Sequence, residues 1–279
     1  MEHDRRRDAD LDTGVVRGMT SFLKLHVPGD PLLIPNPWDA GSARILAHLG
    51  FRALATTSSG FAASLGRLDY TVTRSEALRH AADIVAATDL PVSADMENGF
   101  ADEPAEVAAF VGEAIGTGLA GCSIEDSTGR PDDPIYAHRL AAERIAAVAE
   151  VAAGRLVITA RAENYLYGRA DLADTIARLQ AYQEAGADVL YAPGLRAAAD
   201  IRAVVSSVDR PVNVLAMTGA PPVAEFASLG VARISVGGAF AFAAVSALVS
   251  AAEELKTQGT YGYAAQSARG REFVAEAFR

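Results

Sequence analysis

Gly186-Ala187-Asp188-Val189-Leu190 sets a glycine just ahead of a short apolar run. The same unit recurs as Gly50-Phe51-Arg52-Ala53-Leu54, Gly118-Leu119-Ala120-Gly121-Cys122 and Gly230-Val231-Ala232-Arg233-Ile234. Glycine suits the residue past a helix end, where a left-handed backbone costs it little. Each unit therefore reads as a helix stopping and a strand starting. Asp89-Leu90-Pro91-Val92 and Asp209-Arg210-Pro211-Val212 are a second kind of entry, in which proline opens a strand without removing an interior donor. Outward from these points, apolar runs predict eight strands, at 32–35, 53–57, 92–95, 122–125, 157–160, 189–192, 212–215 and 234–236. Near-continuous apolar strands are what a parallel sheet buried on both faces requires. Between them lie amphipathic stretches. In 104–115, Val107, Phe110, Val111, Ala114 and Ile115 form one stripe behind Pro104, and Leu172, Ile176 and Leu179 form another that Gly186 ends. Strand–helix alternation without a reversal predicts an α/β fold, a closed (β/α)8 TIM barrel. No Gly-x-Gly-x-x-Gly follows the first strand, which argues against an open doubly wound sheet.

The 279 residues are 50% apolar and 22% charged, an ordinary globular balance. No Pro/Gly/Ser linker divides them, so residues 19–279 read as one barrel domain with its C-terminal helices, and 1–18 as a mobile N-terminal arm. That arm is charged, with Arg5-Arg6-Arg7, and lacks the apolar run of a signal peptide. The longest apolar stretch, 240–252, is too short to span a bilayer and reads as a buried helix. A net charge of −10 offers no basic footprint for nucleic acid or anionic lipid. A small anionic substrate would need a local cation. Cys122 is the sole cysteine, which excludes an internal disulfide and fits a reducing, cytoplasmic setting.

Barrel active sites lie at the C-terminal strand ends. Strand 3 runs out through Asp95-Met96-Glu97-Asn98-Gly99-Phe100, strand 4 through Ile124-Glu125-Asp126, and strand 5 through Ala160-Arg161-Ala162-Glu163-Asn164. Alternation puts Asp95 and Glu97 on one side, and Gly99 permits a sharp turn. Asp95, Glu97 and Glu125 would repel one another unless something positive sat between them. Oxygen donors without histidine or cysteine suit a hard cation, best magnesium, with manganese as the substitute. Singly, each carboxylate is as readily a helix cap or half an ion pair; Asp126 and Glu163 read as structural, orienting Arg161 or capping a turn. Arg161 is the natural partner for a substrate carboxylate. Thr57-Ser58-Ser59-Gly60-Phe61 presents hydroxyls and amides that can hold an anion. No histidine (His3, His26, His48, His80, His138) falls at a strand end, so zinc and histidine-nucleophile chemistry are not expected.

Several motifs together resemble the isocitrate lyase/phosphoenolpyruvate mutase superfamily over about residues 33–238. They are Pro35-Asn36-Pro37-Trp38-Asp39-Ala40-Gly41-Ser42-Ala43-Arg44, Thr57-Ser58-Ser59-Gly60, Ser64-Leu65-Gly66-Arg67-Leu68-Asp69, Ala94-Asp95-Met96-Glu97-Asn98-Gly99-Phe100, Ser123-Ile124-Glu125-Asp126 and Ala160-Arg161. The resemblance implies that Asp95 ligates magnesium, with Glu97, Glu125 and Asp69 around its water shell. It implies that Ser58, Ser59, Gly60 and Phe61, with Trp38 and Asn213, lie on the substrate side. Arg161, Glu125 and Asp69 are the expected catalytic groups, and a homotetramer exchanging C-terminal helices is the expected assembly.

The chain departs from the family in the loop after strand 4. Isocitrate and 2-methylisocitrate lyases carry a Lys-[Lys/Arg]-Cys-Gly-His gate there, whereas this chain has Ser127-Thr128-Gly129-Arg130-Pro131-Asp132-Asp133-Pro134-Ile135-Tyr136-Ala137-His138. The lysine and asparagine of the phosphoenolpyruvate mutase gate are missing too. After strand 6 stands Tyr191-Ala192-Pro193-Gly194-Leu195, not the lyases' glutamate. The expectation is therefore enolate chemistry with little proton transfer, such as decarboxylation of an oxaloacetate-like acid or retro-aldol cleavage helped by water, Tyr136 or His138. Carbon–phosphorus chemistry on a phosphonopyruvate-like substrate is the alternative. From another class, Gly237-Gly238 could cradle the phosphate of a non-catalytic ligand, although close strand–helix packing is the plainer reading of that pair.

Overall fold

The computed structural model describes residues 21–279, so the expected arm, 1–18, lies outside the described residues. Eight parallel strands form one sheet: β1 (Leu32–Ile34), β2 (Leu54–Ala55), β3 (Val92–Asp95), β4 (Gly121–Glu125), β5 (Val157–Arg161), β6 (Val189–Tyr191), β7 (Val212–Leu215) and β8 (Arg233–Ser235). Each strand from β2 to β8 pairs with the next, and β8 pairs with β1. The seam between β1 and β2 is joined by Ala55 N–H donating to the Pro35 carbonyl at 3.0 Å, and by Asn36 Nδ2 donating to the Thr56 carbonyl at 2.9 Å. The ring is thus a (β/α)8 barrel, as the alternation required.

Strand boundaries follow the sequence reading closely, with β2 the main difference. It ends at Ala55 rather than 57 because Thr57 leaves the strand to cap α2 (Ser58–Ser64), its hydroxyl taking the Gly60 amide. The stretch 57–61 is thus a helix start, not an open loop. The other helices are α1 (Ala40–His48), α3 (Arg74–Ala86), α4 (Pro104–Ile115), α5 (His138–Ala152), α6 (Leu172–Glu184), α7 (Ala198–Ser207), α8 (Val223–Ser228), α9 (Ala239–Gln258) and α10 (Ala264–Ala277). In α4, Pro104 occupies the first turn, where no amide donor is needed, and Val107, Phe110, Val111 and Ala114 are buried on the predicted stripe. Asp171 caps α6, which buries Leu179 together with Thr175, Arg178 and Tyr182.

Two apolar layers hold the barrel. One lies between the strands and the helix ring, and it includes Cys122, a fully buried core thiol whose pKa burial pushes up to about 12. The other plugs the N-terminal end of the barrel, where Phe22 packs with Leu32, Ile34, Val157 and Val189. Above that plug the interior is polar: Ser93, Ser123, Thr159, Asn213, Arg233 and Ser235 are all buried.

The expectation of a buried helix at 240–252 is overturned. Within α9 only Ala241 is buried, while Phe242, Val245, Leu248 and Leu255 are exposed, Leu248 at 68%. Apolar composition does not bring a helix to its own barrel; only a face turned toward that barrel does. α10 folds back on α1, with the Phe273 ring edge-on to His48 at 5.3 Å and Arg44 over the Phe278 ring. Among the described residues no helix is long and apolar enough to cross a membrane.

Candidate active site

A cavity of about 180 Å³ opens at the C-terminal mouth, lined among others by Ser58, Ser59, Asp69, Asp95, Arg161 and Arg233. Its organising group is Arg161, the last residue of β5, whose side chain is only 14% exposed. Nη1 meets Asp95 Oδ1 at 3.1 Å, Nη2 meets Glu125 Oε2 at 3.1 Å, and Nε meets Glu163 Oε1 at 2.7 Å. Strand parity explains the convergence. Glu125 and Arg161 are register partners on β4 and β5, and Asp95 ends β3 beside Ser123. Of the three carboxylates expected to repel one another, Asp95 and Glu125 meet at the Arg161 guanidinium, while Glu97 does not and Glu163 takes the third place. Burial works against that charge, but Glu163, Glu125 and Asp95 outweigh it and hold Arg161 protonated far above the neutral range. Arg161 also lies over the Tyr191 ring, 5.1 Å from its centroid.

Asp95 is shared. Its Oδ1 takes Arg161, and its Oδ2 takes the Ser58 amide at 3.2 Å. Glu125 is fully engaged, one oxygen on Arg161 and the other accepting from the Tyr70 hydroxyl. Tyr70 belongs to a further chain: Tyr167 donates to it at 3.2 Å and pairs with Ser127 at 2.8 Å.

Asp69 and Glu97 are not paired with Arg161. Burial and then the charge of Asp95 raise the pKa of Asp69. Burial, then Asp95 and Asp69, push that of Glu97 up to about 8. These two and Asp95 thus form an acidic group that raises the cost of its own ionisation, the electrostatic setting a hard cation relieves. Among the described residues no cluster of three or more His, Cys, Asp or Glu has the spacing for direct ligation of one ion. The donor set therefore fits an ion that keeps its waters and takes one protein ligand, not an all-protein cage.

The expected residues are placed unevenly. Ser58, Ser59, Asp69, Asp95 and Arg161 line the cavity. Glu97 does not follow the alternation of β3. Its φ of 47° turns the chain left-handed just past the strand, and its side chain enters a small recess with Asp95, Phe61, His80 and Phe100. The turn closes at Gly99, φ 75°, where a Cβ would meet Val107 Cγ1 at 2.5 Å. Gly60 is buried against Thr57, Trp38 and Ala241. Trp38 and Phe61 line an adjoining outer groove with His80, whose ring stacks on Phe61 at 3.8 Å. Asn213 is 1% exposed beneath the floor of the cavity.

Glu163 and Asp126 are structural, as read from the sequence. Asp126 takes the Glu163 amide at 2.8 Å, Arg178 at 3.0 Å and the Tyr182 hydroxyl at 2.6 Å, which fixes the segment that orients Arg161. Tyr136 is not available as a loop acid: it is 3% exposed, bonded to Asp102 and lies under Arg144. His138 begins α5, and neither it nor Tyr136 lines the cavity. The amides of Val236 and Gly237 both donate to Asn36 Oδ1 at 2.9 Å, so the Gly237-Gly238 turn has spent two donors that a phosphate would need. The sequence alone assigned no role to Tyr70, Tyr167, Asn36 or Arg233; of these Asn36 stood within a quoted motif and Arg233 was an arginine inside an apolar run.

A parallel barrel with a carboxylate-clasped arginine and an acidic group at its mouth defines a class of lyase-type barrel enzymes, and comparison with known proteins places the chain within it. Residues 22–256 match the family model described as phosphoenolpyruvate phosphomutase, and the chain belongs to that family. A provisionally named lyase/mutase from Burkholderia cenocepacia J2315 superposes with a TM-score of 0.89 at 51% identity, covering 95% of each chain. An uncharacterised protein of Mycobacterium tuberculosis is 34% identical, covering 86% of this chain and 93% of its own. An oxaloacetate decarboxylase of Pseudomonas paraeruginosa is 33% identical over 75% of each.

Proposed function

We propose that the protein is a magnesium-dependent enzyme that makes or breaks the carbon–carbon bond next to a small 2-oxo acid through an enolate. Decarboxylation of an oxaloacetate-like acid, releasing pyruvate, is the form the site supports best. The observation that carries this reading is the Arg161 clasp. A fixed cation is held at the cavity wall by three carboxylates, two of them buried, so it is already oriented before substrate arrives.

Asp95 would hold the metal directly, and Asp69 and Glu97 would reach it through its waters; Glu125 acts instead by positioning Arg161 and Tyr70. When bound, magnesium would polarise the keto oxygen and offset the carboxylate charge of the substrate. The protein's own part is electrostatic. Ser58 and Ser59 at the start of α2 offer hydroxyls to the carboxylate, and Arg161 faces the oxygen on which negative charge grows as the bond breaks. The relative from Pseudomonas paraeruginosa bears the name of this reaction. A cytoplasmic setting and a homotetramer that exchanges C-terminal helices complete the proposal. The exposed apolar face of α9 supports the exchange, since such a surface is costly unless covered.

A screen of 2-oxo, 2-hydroxy and phosphono acids, with and without magnesium and followed by pyruvate release, tests the reading. Magnesium-dependent turnover of a 2-oxo acid and binding of oxalate, an enolate mimic, are the expected results. Turnover of phosphonopyruvate alone would move the assignment to carbon–phosphorus chemistry, and binding of sugar phosphates indifferent to magnesium would remove it.

A further inference from the structure

Arg233 stands one layer below Arg161 inside the barrel. It begins β8, lines the floor of the cavity and is 3% exposed. Nη1 donates to Thr159 Oγ1 at 3.1 Å, while Nε, also buried, has no partner among the described residues. Among the described residues no carboxylate lies within ion-pair distance of Arg233, in contrast to Arg161 with its three. Beside it in register on β7 is Asn213, which gives Nδ2 to Ser235 at 3.1 Å and leaves Oδ1 buried without a partner.

A buried guanidinium without a counter-charge is costly, and proteins normally pair such a group. Here the wall of a cavity is the one place from which an anion could pair it. Burial, with the positive charge of Arg161 adding to it, pulls the Arg233 pKa down to about 10 against the opposing influence of Tyr191 and Asp95. Thr159, which Arg233 bonds, lies two residues along β5 from Arg161, about 6.6 Å at the usual rise per strand residue. The two arginines therefore stand at different depths of one cavity, where each can take a different end of a small dicarboxylate.

We propose that Arg233 is a second anion-binding group of the site, taking the distal carboxylate of a dicarboxylic substrate while Arg161 faces the reacting end. This rests on the enolate reading above and narrows it to small dianionic acids. Arg233 thereby becomes the group that separates diacids from monoacids.

The test uses the full chain with magnesium and calorimetric titration of three probes: oxalate, malate and lactate. Malate and lactate are both 2-hydroxy acids and differ in the second carboxylate. Wild type is expected to favour malate over lactate by at least tenfold. Arg233→Met is expected to erase that preference and leave oxalate affinity within about threefold, while Arg233→Lys keeps part of the preference. If Arg233→Met fails to fold, Asn213→Asp gives the same reading, because a carboxylate placed beside Arg233 would occupy it and abolish the malate preference. A malate preference that survives these changes, or is absent from wild type, overturns the proposal. Loss of oxalate binding in wild type would instead overturn the enolate reading, so the two failures are told apart.

Discussion

Asp95 and Arg161, on strands separated by β4, meet at 3.1 Å across the barrel mouth, and the same aspartate takes the Ser58 amide on its other oxygen. One carboxylate thus ties three strand ends together while remaining on the cavity wall. Because Glu125 and Glu163 also hold Arg161, the arginine would keep its place without Asp95.

Asp95→Ala is therefore expected to separate chemistry from folding. Magnesium-dependent oxalate binding and turnover should fall by at least about a thousandfold, the scale of losing a Lewis-acid site together with its electrostatic stabilisation. The urea midpoint should change little. Calorimetry and an unfolding curve on one preparation decide it; a variant that binds oxalate with magnesium as the parent does would remove Asp95 from the metal.

Arg161→Met should damage both. Activity should drop by roughly 10²–10³, as when a preorganised donor to a developing oxyanion is removed. Stability should fall by about 3–5 kcal/mol because Glu125 and Glu163 are left buried without their partner. Chemical denaturation at pH 8, where carboxylates ionise most readily, is the measurement.

Acid sensitivity should come in part from two buried histidines. Burial, with Arg233's charge adding to it, lowers the His26 pKa from 6.5 to about 3, and burial lowers that of His80 to about 4. Each binds fewer protons folded than unfolded between its two values, so stability falls as pH drops below 6.5 and levels off below about 3 and 4 respectively. The slope is at most about 1.4 kcal/mol per pH unit for each histidine. His26→Asn, which retains a donor for the Phe22 carbonyl, should flatten the stability profile between pH 6.5 and 4; an unchanged slope would count against this origin.

Asn36→Ala should open the barrel seam. Two amides, of Val236 and Gly237, and the Thr56 carbonyl lose their partner together. At about 1–3 kcal/mol for each of the three groups left unsatisfied, the expected cost is about 3–9 kcal/mol. Amide exchange at Val236 and Gly237 should quicken while that of β4 and β5 stays slow.

The sequence alone carried the barrel, because its signals are local. Glycines past helix ends, prolines at strand entries and the stripe in α4 depend on backbone conformation and period, and the helix Pro104–Ile115 and the strands Val92–Asp95 and Val212–Leu215 stand where they were read. Position at the C-terminal strand ends likewise singled out Asp95, Glu125 and Arg161, and alternation was used to set Asp95 and Glu97 on one side. Alternation failed for Glu97, whose left-handed backbone lies two residues past the end of the strand it was counted from. Composition failed for α9, since an apolar helix can be covered by its own chain or by another.

What the barrel's closure decided is the pairing of charges. Whether Glu125 meets a metal or Arg161, whether Tyr70 reaches it, and whether Arg233 is left without a counter-charge depend on side chains from strands dozens of residues apart. Pairing energies fall steeply with distance, and those distances exist only once the ring has closed.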